Sequence, residues 1–310
     1  MLNLNSYKSL KIKKKEETEK IKQRYSITAD ILSYQVCKRQ YGFNTIKGFS
    51  STQKTQAWHG DLIHQVLSML HRRYLHNVKL TNKGLTKNDP MPTDKDVEEL
   101  FDRANNTLKS RGIIPITKEN DKLISNLLEL LKKFNKIEGK NLYPKIIDTE
   151  ARLQADMGDY LLYGVIDVVV KNDDGEFEIW DYKGMLFPPQ DKDWGREKLK
   201  KYEYQMLIYG ELLKQQTGKY PSKCVLYFVN ELNRIKSPNP KHIIDFKDEN
   251  NIKKIKEAME NFSNTVKEIE KCKERGMWNV DKPADKDTCK ICDLRWGCPV
   301  RKEEYPLKPL

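Results

Sequence analysis

The sequence predicts a mixed α/β fold, a central sheet flanked by helices, and two patterns carry that expectation. Apolar residues recur at helical spacing in three stretches before residue 140. The period then changes to two in three consecutive stretches between residues 145 and 184. A helix, further strands and a last helix follow, so helices precede three strands and then alternate with the rest. With 310 residues the chain can bury one large core or two small ones.

Residues 1–25 are lysine-rich with few apolar anchors and read as a basic flexible arm. In SITADILSYQVCKRQYGF, Ser26 or Thr28 can cap a short helix carrying Cys37 near its end. A long helix is expected from Thr52 to about His76, with Trp58, Leu62, Val66, Met69 and Leu70 as its apolar stripe. His64 is two residues from Leu62, about 200° around the axis, and so lies on another face. Gly60, one turn earlier, leaves room for close approach. Residues 77–92 read as a polar loop containing Pro90 and Pro92.

Two amphipathic helices follow. One opens at Thr93 or Asp94 and stops at Gly112, and the other spans about 118–138. Together they suggest a helical insert resting on the core. KIIDTEARLQA, DYLLYGVIDVVVKN and EFEIWDYKG are strand candidates, and Asn172-Asp173-Asp174-Gly175 turns the last two into a hairpin. A helix from Gly195 to Gln216, strands CVLYFVN and KHIIDF, and a helix from Asp248 closing at Gly276 complete the pattern. The expected segments are the arm 1–25, a helical region 26–145, a sheet core 146–247, and a C-terminal helix with a cysteine segment, 248–310.

The formal charge is +12, which favours a polyanionic partner, although lysine bias alone can produce it. No apolar run approaches ~18 residues, so no membrane span is expected. The N-terminus lacks an apolar signal core, and with six clustered or isolated cysteines a reducing cytoplasm and a metal centre fit better than disulfides.

Residues two apart on a strand share a side, so Asp181 and Lys183 of IWDYKG face together, with Tyr182 opposite. Asp167 interrupts the apolar run GVIDVVV, where a lone carboxylate is costly without a cation or proton partner. The hairpin can bring Asp167 beside Asp181, and two carboxylates with a gap between them suit Mg²⁺ or Mn²⁺. Such a cation lowers the pKa of a water, while Lys183 orients or deprotonates that water or stabilises charge at phosphorus. The spacing does not separate these roles. Glu150, in the first strand, either faces the site or pairs with a lysine. Gln205 and Tyr209, four apart, share a helix face.

Cys289, Cys292 and Cys298 read C-x2-C-x5-C inside TCKICDLRWGCPV, with Cys37 the best candidate for a fourth ligand. Zinc and iron–sulfur both take four thiolates, and spacing does not choose between them. Cys224 and Cys272 read as ordinary packed or exposed thiols.

In order, the helical histidine of HGDLIHQVL, Glu150 of DTEARL, YGVID, WDYKG and YEYQMLIYG resemble the PD-(D/E)XK nuclease superfamily, in its RecB-like branch. The flanking cysteines resemble the iron–sulfur subset of that branch, which includes AddB-type nuclease domains and CRISPR-associated RecB-like exonucleases. The resemblance spans roughly residues 26–300. It implies a restriction-endonuclease-like fold with a C-terminal iron–sulfur loop. It also implies metal ligands His64, Asp167, Asp181 and the Tyr182 carbonyl, with Glu150 in the catalytic set and Lys183 as catalytic lysine. Gln205 and Tyr209 would position DNA, and the four cysteines would hold a [4Fe–4S] cluster. The function implied is a metal-dependent DNA nuclease, an exonuclease on single strands or duplex ends, working with defence or recombination proteins. A non-catalytic nucleic-acid-binding or assembly subunit, or an RNA nuclease, are the other readings.

Overall fold

The computed structural model describes residues 22–49, 55–115, 118–236, 238–301 and 303–305. Most of the expected basic arm, and the expected helix start at Thr52, lie outside the described residues. Strand β1 (Arg24–Ser26) leads into a π-helical turn at Ile27–Leu32 and short helices α1 (Ser33–Val36) and α2 (Lys38–Tyr41). Ser26 caps this turn, its Oγ accepting the Ala29 N–H at 3.1 Å. Helices α3 (Thr55–Asn82), α4 (Asp94–Ser110) and α5 (Asn120–Leu142) come next. Then follow β2 (Ile146–Asp156), β3 (Leu161–Lys171), β4 (Phe177–Lys183), α6 (Asp193–Thr217), β5 (Lys223–Phe228), β6 (Lys241–Asp245), α7 (Glu249–Arg275) and α8 (Lys286–Lys290).

The strands form one mixed sheet. β2 runs antiparallel along the whole of β3, while β1 and β4 share its other edge. β4 pairs parallel with β5, and β5 antiparallel with β6. Alternation sends Ile179 and Asp181 to one side of β4, and Trp180 and Tyr182 to the other. Helices α6 and α7 cover the first side, burying Ile179, Leu226 and Phe228 with Met206, Leu212 and Phe262. Helices α3, α4 and α5 cover the second, burying Trp180, Tyr182 and Tyr227 with Leu67, Phe101 and Phe134. The helices of residues 55–142 are therefore a full layer on the sheet and not an insert resting on it.

Two boundaries differ from expectation. α3 continues to Asn82, through the first part of the expected loop 77–92, because Leu75 and Val78 extend its apolar face onto the core. α4 begins where expected, with Thr93 and Asp96 forming a reciprocal capping box.

Candidate active site and thiol cage

The gap in β3 creates the site. β1 pairs with β3 only at Leu161–Tyr163 and β4 only from Val168 onward, so Gly164–Asp167 have no strand partner on that edge. Asp167 sits at the point where the strands part. Its Oδ2 accepts the Tyr182 N–H at 2.8 Å, a side-chain substitute for a ladder bond. Through the opening comes α3, placing His64 Nδ1 3.1 Å from the same Oδ2. Ligand atoms of His64, Glu150 and Asp167 all lie within 4.8 Å of one another. An imidazole beside two carboxylates suits a divalent cation.

Asp181 and Lys183 do face together, and the face is that of α6. Lys183 Nζ lies 2.6 Å from Asp181 Oδ2 and donates to Gln205 Oε1 at 2.9 Å. Gln205 Nε2 donates to Asp181 Oδ1 at 3.0 Å. One amide thus fixes both members of the pair, and the Tyr202 ring lies 4.4 Å beneath the Lys183 ammonium. Asp181 Oδ2 is buried, and the Lys183 ammonium is its charged neighbour.

Electrostatics separates the two aspartates. Burial disfavours charge on Asp167, but the His64 imidazolium, the Tyr182 N–H and Lys183 outweigh it and hold that carboxyl below its usual range. Burial pushes Asp181 up, with Lys183 opposing and Asp167 adding to the rise. Burial also raises Glu150, helped by the Asp167 charge. His64 is disfavoured as a cation by burial, yet Asp167 carries it up to about 9.

His64, Glu150, Asp167, Asp181, Lys183, Gln205 and Tyr209 all line one cleft of about 1100 Å³. Glu150 faces this cleft. Tyr209 is 5% exposed and packs against Gly164, where an added Cβ would stand 3.0 Å from its ring. The glycine of YGVID is thus a close-approach site beside Asp167. Tyr182 points its own ring away, among Phe134 and Tyr227, with its hydroxyl 3.3 Å from His71. Sequence reasoning passed over Lys198 and Lys201, which line the same cleft. Their spacing of seven and four from Gln205 was the available signal.

At the far wall stand Asp285 and Thr288, from the segment carrying the cysteines. Behind them Cys37, Cys289, Cys292 and Cys298 surround a second cavity, which Thr288 also lines. Cys37 is not inside a helix. It occupies an extended break between α1 and α2, at φ −162°, where the Gln40 N–H points to its sulfur at 3.5 Å. Cys224 is fully buried and Cys272 lies 3.5 Å from the Tyr34 hydroxyl, both outside this cage. Among the described residues no helix is long and apolar enough to cross a membrane.

The crystal structure of a "Putative exonuclease" from Eubacterium rectale aligns over 93% of this chain and 90% of its own, with a TM-score of 0.50 and 13% identity. At that identity the likeness shows the fold. A second solved structure, SSO0001, covers 73% of this chain and 94% of its own at 14% identity, with a TM-score of 0.33. Among curated proteins none matches. The PD-(D/E)XK nuclease superfamily model matches residues 28–299, the span holding the cleft, the Asp181–Lys183 pair and all four caged thiols. The chain belongs to the PD-(D/E)XK nuclease superfamily.

Proposed function

We propose that the protein is a divalent-metal-dependent deoxyribonuclease of the RecB-like type, acting exonucleolytically on single strands or duplex ends. The observation that carries this reading is the juxtaposition of His64, Glu150 and Asp167 within 4.8 Å, next to the Asp181–Lys183–Gln205 unit.

His64, Asp167 and Asp181, with the Tyr182 carbonyl, would hold Mg²⁺ or Mn²⁺, and Glu150 adds a further carboxylate oxygen. When bound, such a cation lowers the pKa of a water and offsets charge on the phosphate. The remaining work falls to this chain's own side chains. Lys183, held by Gln205 and Asp181, places a cation where charge develops at phosphorus. His64 must give up its proton to Asp167 or to solvent before its nitrogen can ligate. Gln205 and Tyr209 keep the lysine and the cleft floor aligned. Low-dielectric surroundings strengthen each of these interactions.

In this reading Cys37, Cys289, Cys292 and Cys298, which line one cavity, would hold a [4Fe–4S] cluster. Four thiolates around a cavity fit either iron–sulfur or zinc in donor type. A single zinc with bonds near 2.3 Å draws its sulfurs to about 3.8 Å apart.

The test is digestion of 5′- and 3′-labelled single-stranded DNA, duplex DNA and RNA, with Mn²⁺, Mg²⁺ or chelator. Wild-type protein should degrade DNA only with metal. Lys183→Ala should lower the rate about 100-fold or more while DNA binding persists. Equal cleavage by Lys183→Ala would reject the centre, and digestion confined to RNA would reject the substrate.

A further inference from the structure

We infer that Arg39 and Arg301 are cationic partners of the group held in the thiol cage, each offering a side-chain N–H to its sulfurs. This rests on the reading of that group as an iron–sulfur cluster.

Both arginines line the cavity together with the four cysteines. Arg39 stands two residues after Cys37, and Arg301 three residues after Cys298. Each ties the cage with its outer nitrogens. Arg39 Nη2 donates to the Gly297 carbonyl at 3.2 Å, and Arg301 Nη2 to the Ala284 carbonyl at 3.1 Å. Arg301 also pairs with Glu304. The remaining nitrogen is alike in both: Nε of Arg39 and Nε of Arg301 are buried and have no hydrogen-bond partner. A buried N–H without an acceptor costs roughly 1–3 kcal/mol. Two of them at one cavity point to an acceptor that belongs there.

The chemistry of the donors names the acceptor. Four thiolates around an oxidised cluster leave a dianionic assembly whose sulfurs accept hydrogen bonds. Nearby cations and N–H donors favour the more negative, reduced form, and hydrogen bonds to the sulfurs are among the levers on cluster potential. Removing either arginine should therefore make reduction harder and the cluster less firmly held.

The experiment uses full-length protein purified without oxygen. Iron content, the visible spectrum, the midpoint potential by optical titration and the rate of iron loss to a chelator are measured together. The set is wild type, Arg39→Gln, Arg301→Gln, Arg39→Lys and Arg301→Lys. Glutamine keeps a donor for the Gly297 or Ala284 carbonyl and drops the charge, whereas lysine keeps the charge. The glutamine variants should shift the reduced-to-oxidised ratio at a fixed potential at least tenfold toward oxidised, equal to 59 mV for one electron. They should also lose iron several-fold faster, and lysine should restore most of both effects. Unchanged potential and iron loss in the glutamine variants would overturn the inference, as would equal losses in the glutamine and lysine variants. Wild-type protein holding zinc, or no metal, would instead remove the cluster reading beneath it.

Discussion

Glu150 stands directly opposite Asp167 across the β2–β3 ladder, between the pairs Thr149↔Val168 and Ala151↔Ile166. It has φ 56°, the one non-glycine residue in the left-handed region among those described. A non-glycine residue held there costs roughly 1–3 kcal/mol. The turn has a visible effect on both strands. Ile166 and Val168 are two apart, yet Ile166 packs with the α6–α7 core and Val168 with the α3–α5 core. Likewise Ala151 joins the α6–α7 core while Thr149 reaches Ser68 on α3, Oγ to Oγ at 3.4 Å. The sheet changes faces at this pair, and both carboxylates end up in the cleft.

That strain makes a sign prediction. Alanine normally outlasts glycine in a strand, but at residue 150 the order should reverse. Glu150→Gly should unfold above Glu150→Ala by roughly 2 °C, equivalent to about 1 kcal/mol. Both should bind Mn²⁺ more weakly than wild type by calorimetry. Equal melting temperatures would show that the backbone is not strained there.

Much of this site was legible because strand alternation is strict. Asp181 and Lys183 share a face whatever they pack against, and the change from helical to strand period placed the hairpin that carries Asp167. The partnership of Gln205 was not legible. Helical spacing put it beside Tyr209, but only the packing of α6 on the Asp181 side of the sheet turns it onto the lysine. Nor was the role of Glu150, since parity fails at a residue of positive φ. The gap in β3 escaped notice for another reason: β1 is three residues long, lies beside an unpatterned basic arm, and pairs in parallel with a strand far along the chain.

Trp194, Lys198, Lys201, Gln205 and Tyr209 follow one another at intervals of four, three, four and four, so they form a single stripe on α6. All five line the cleft. From Trp194 to Gln205 is about 16 Å at 1.5 Å per residue, or about five nucleotides at 3.4 Å each. Trp194 is 55% exposed, unlike Tyr209, so it is the aromatic ring available to a base. Burial lowers the pKa of Lys198, and Lys183 and Lys201 lower it further, as expected where cations crowd a site built for an anion. Lys198→Ala and Lys201→Ala should each reduce the salt dependence of single-strand binding by about 0.7 in log–log slope. Trp194→Ala should weaken binding by about 1–3 kcal/mol with an unchanged slope. Anisotropy titrations at several salt concentrations measure both, and a changed slope for Trp194→Ala would contradict its assignment to stacking.

Cys37 ties the start of the fold to its end. If it shares one metal group with Cys289, the link closes a loop of about 250 residues, worth on the order of 5 kcal/mol in a chain-entropy model. Cys37→Ser should lose bound metal and unfold at markedly lower temperature. Cys272→Ser, outside the cage, should keep its metal. Full metal content in Cys37→Ser would remove this residue from the ligand set.

His71 supplies a pH dependence separable from the metal centre's own ionisations. Fully buried between Tyr143 and Tyr182, it has Nε2 at the Tyr182 hydroxyl and Nδ1 without a partner. Burial pushes its pKa down to about 3. The folded protein therefore holds this imidazole neutral while the unfolded chain takes up a proton near the ordinary value of about 6.5. Its contribution is fully present above that value. It declines as pH falls from there to about 3, by up to ~1.4 kcal/mol per unit. His71→Leu should cost about 1–2 kcal/mol at pH 8, mainly by stranding the Tyr182 hydroxyl. Its unfolding free energy should then fall less steeply than wild type between pH 6 and pH 4. Denaturant titrations of metal-free protein across that range give both slopes, and parallel slopes would mean that His71 is protonated in the fold.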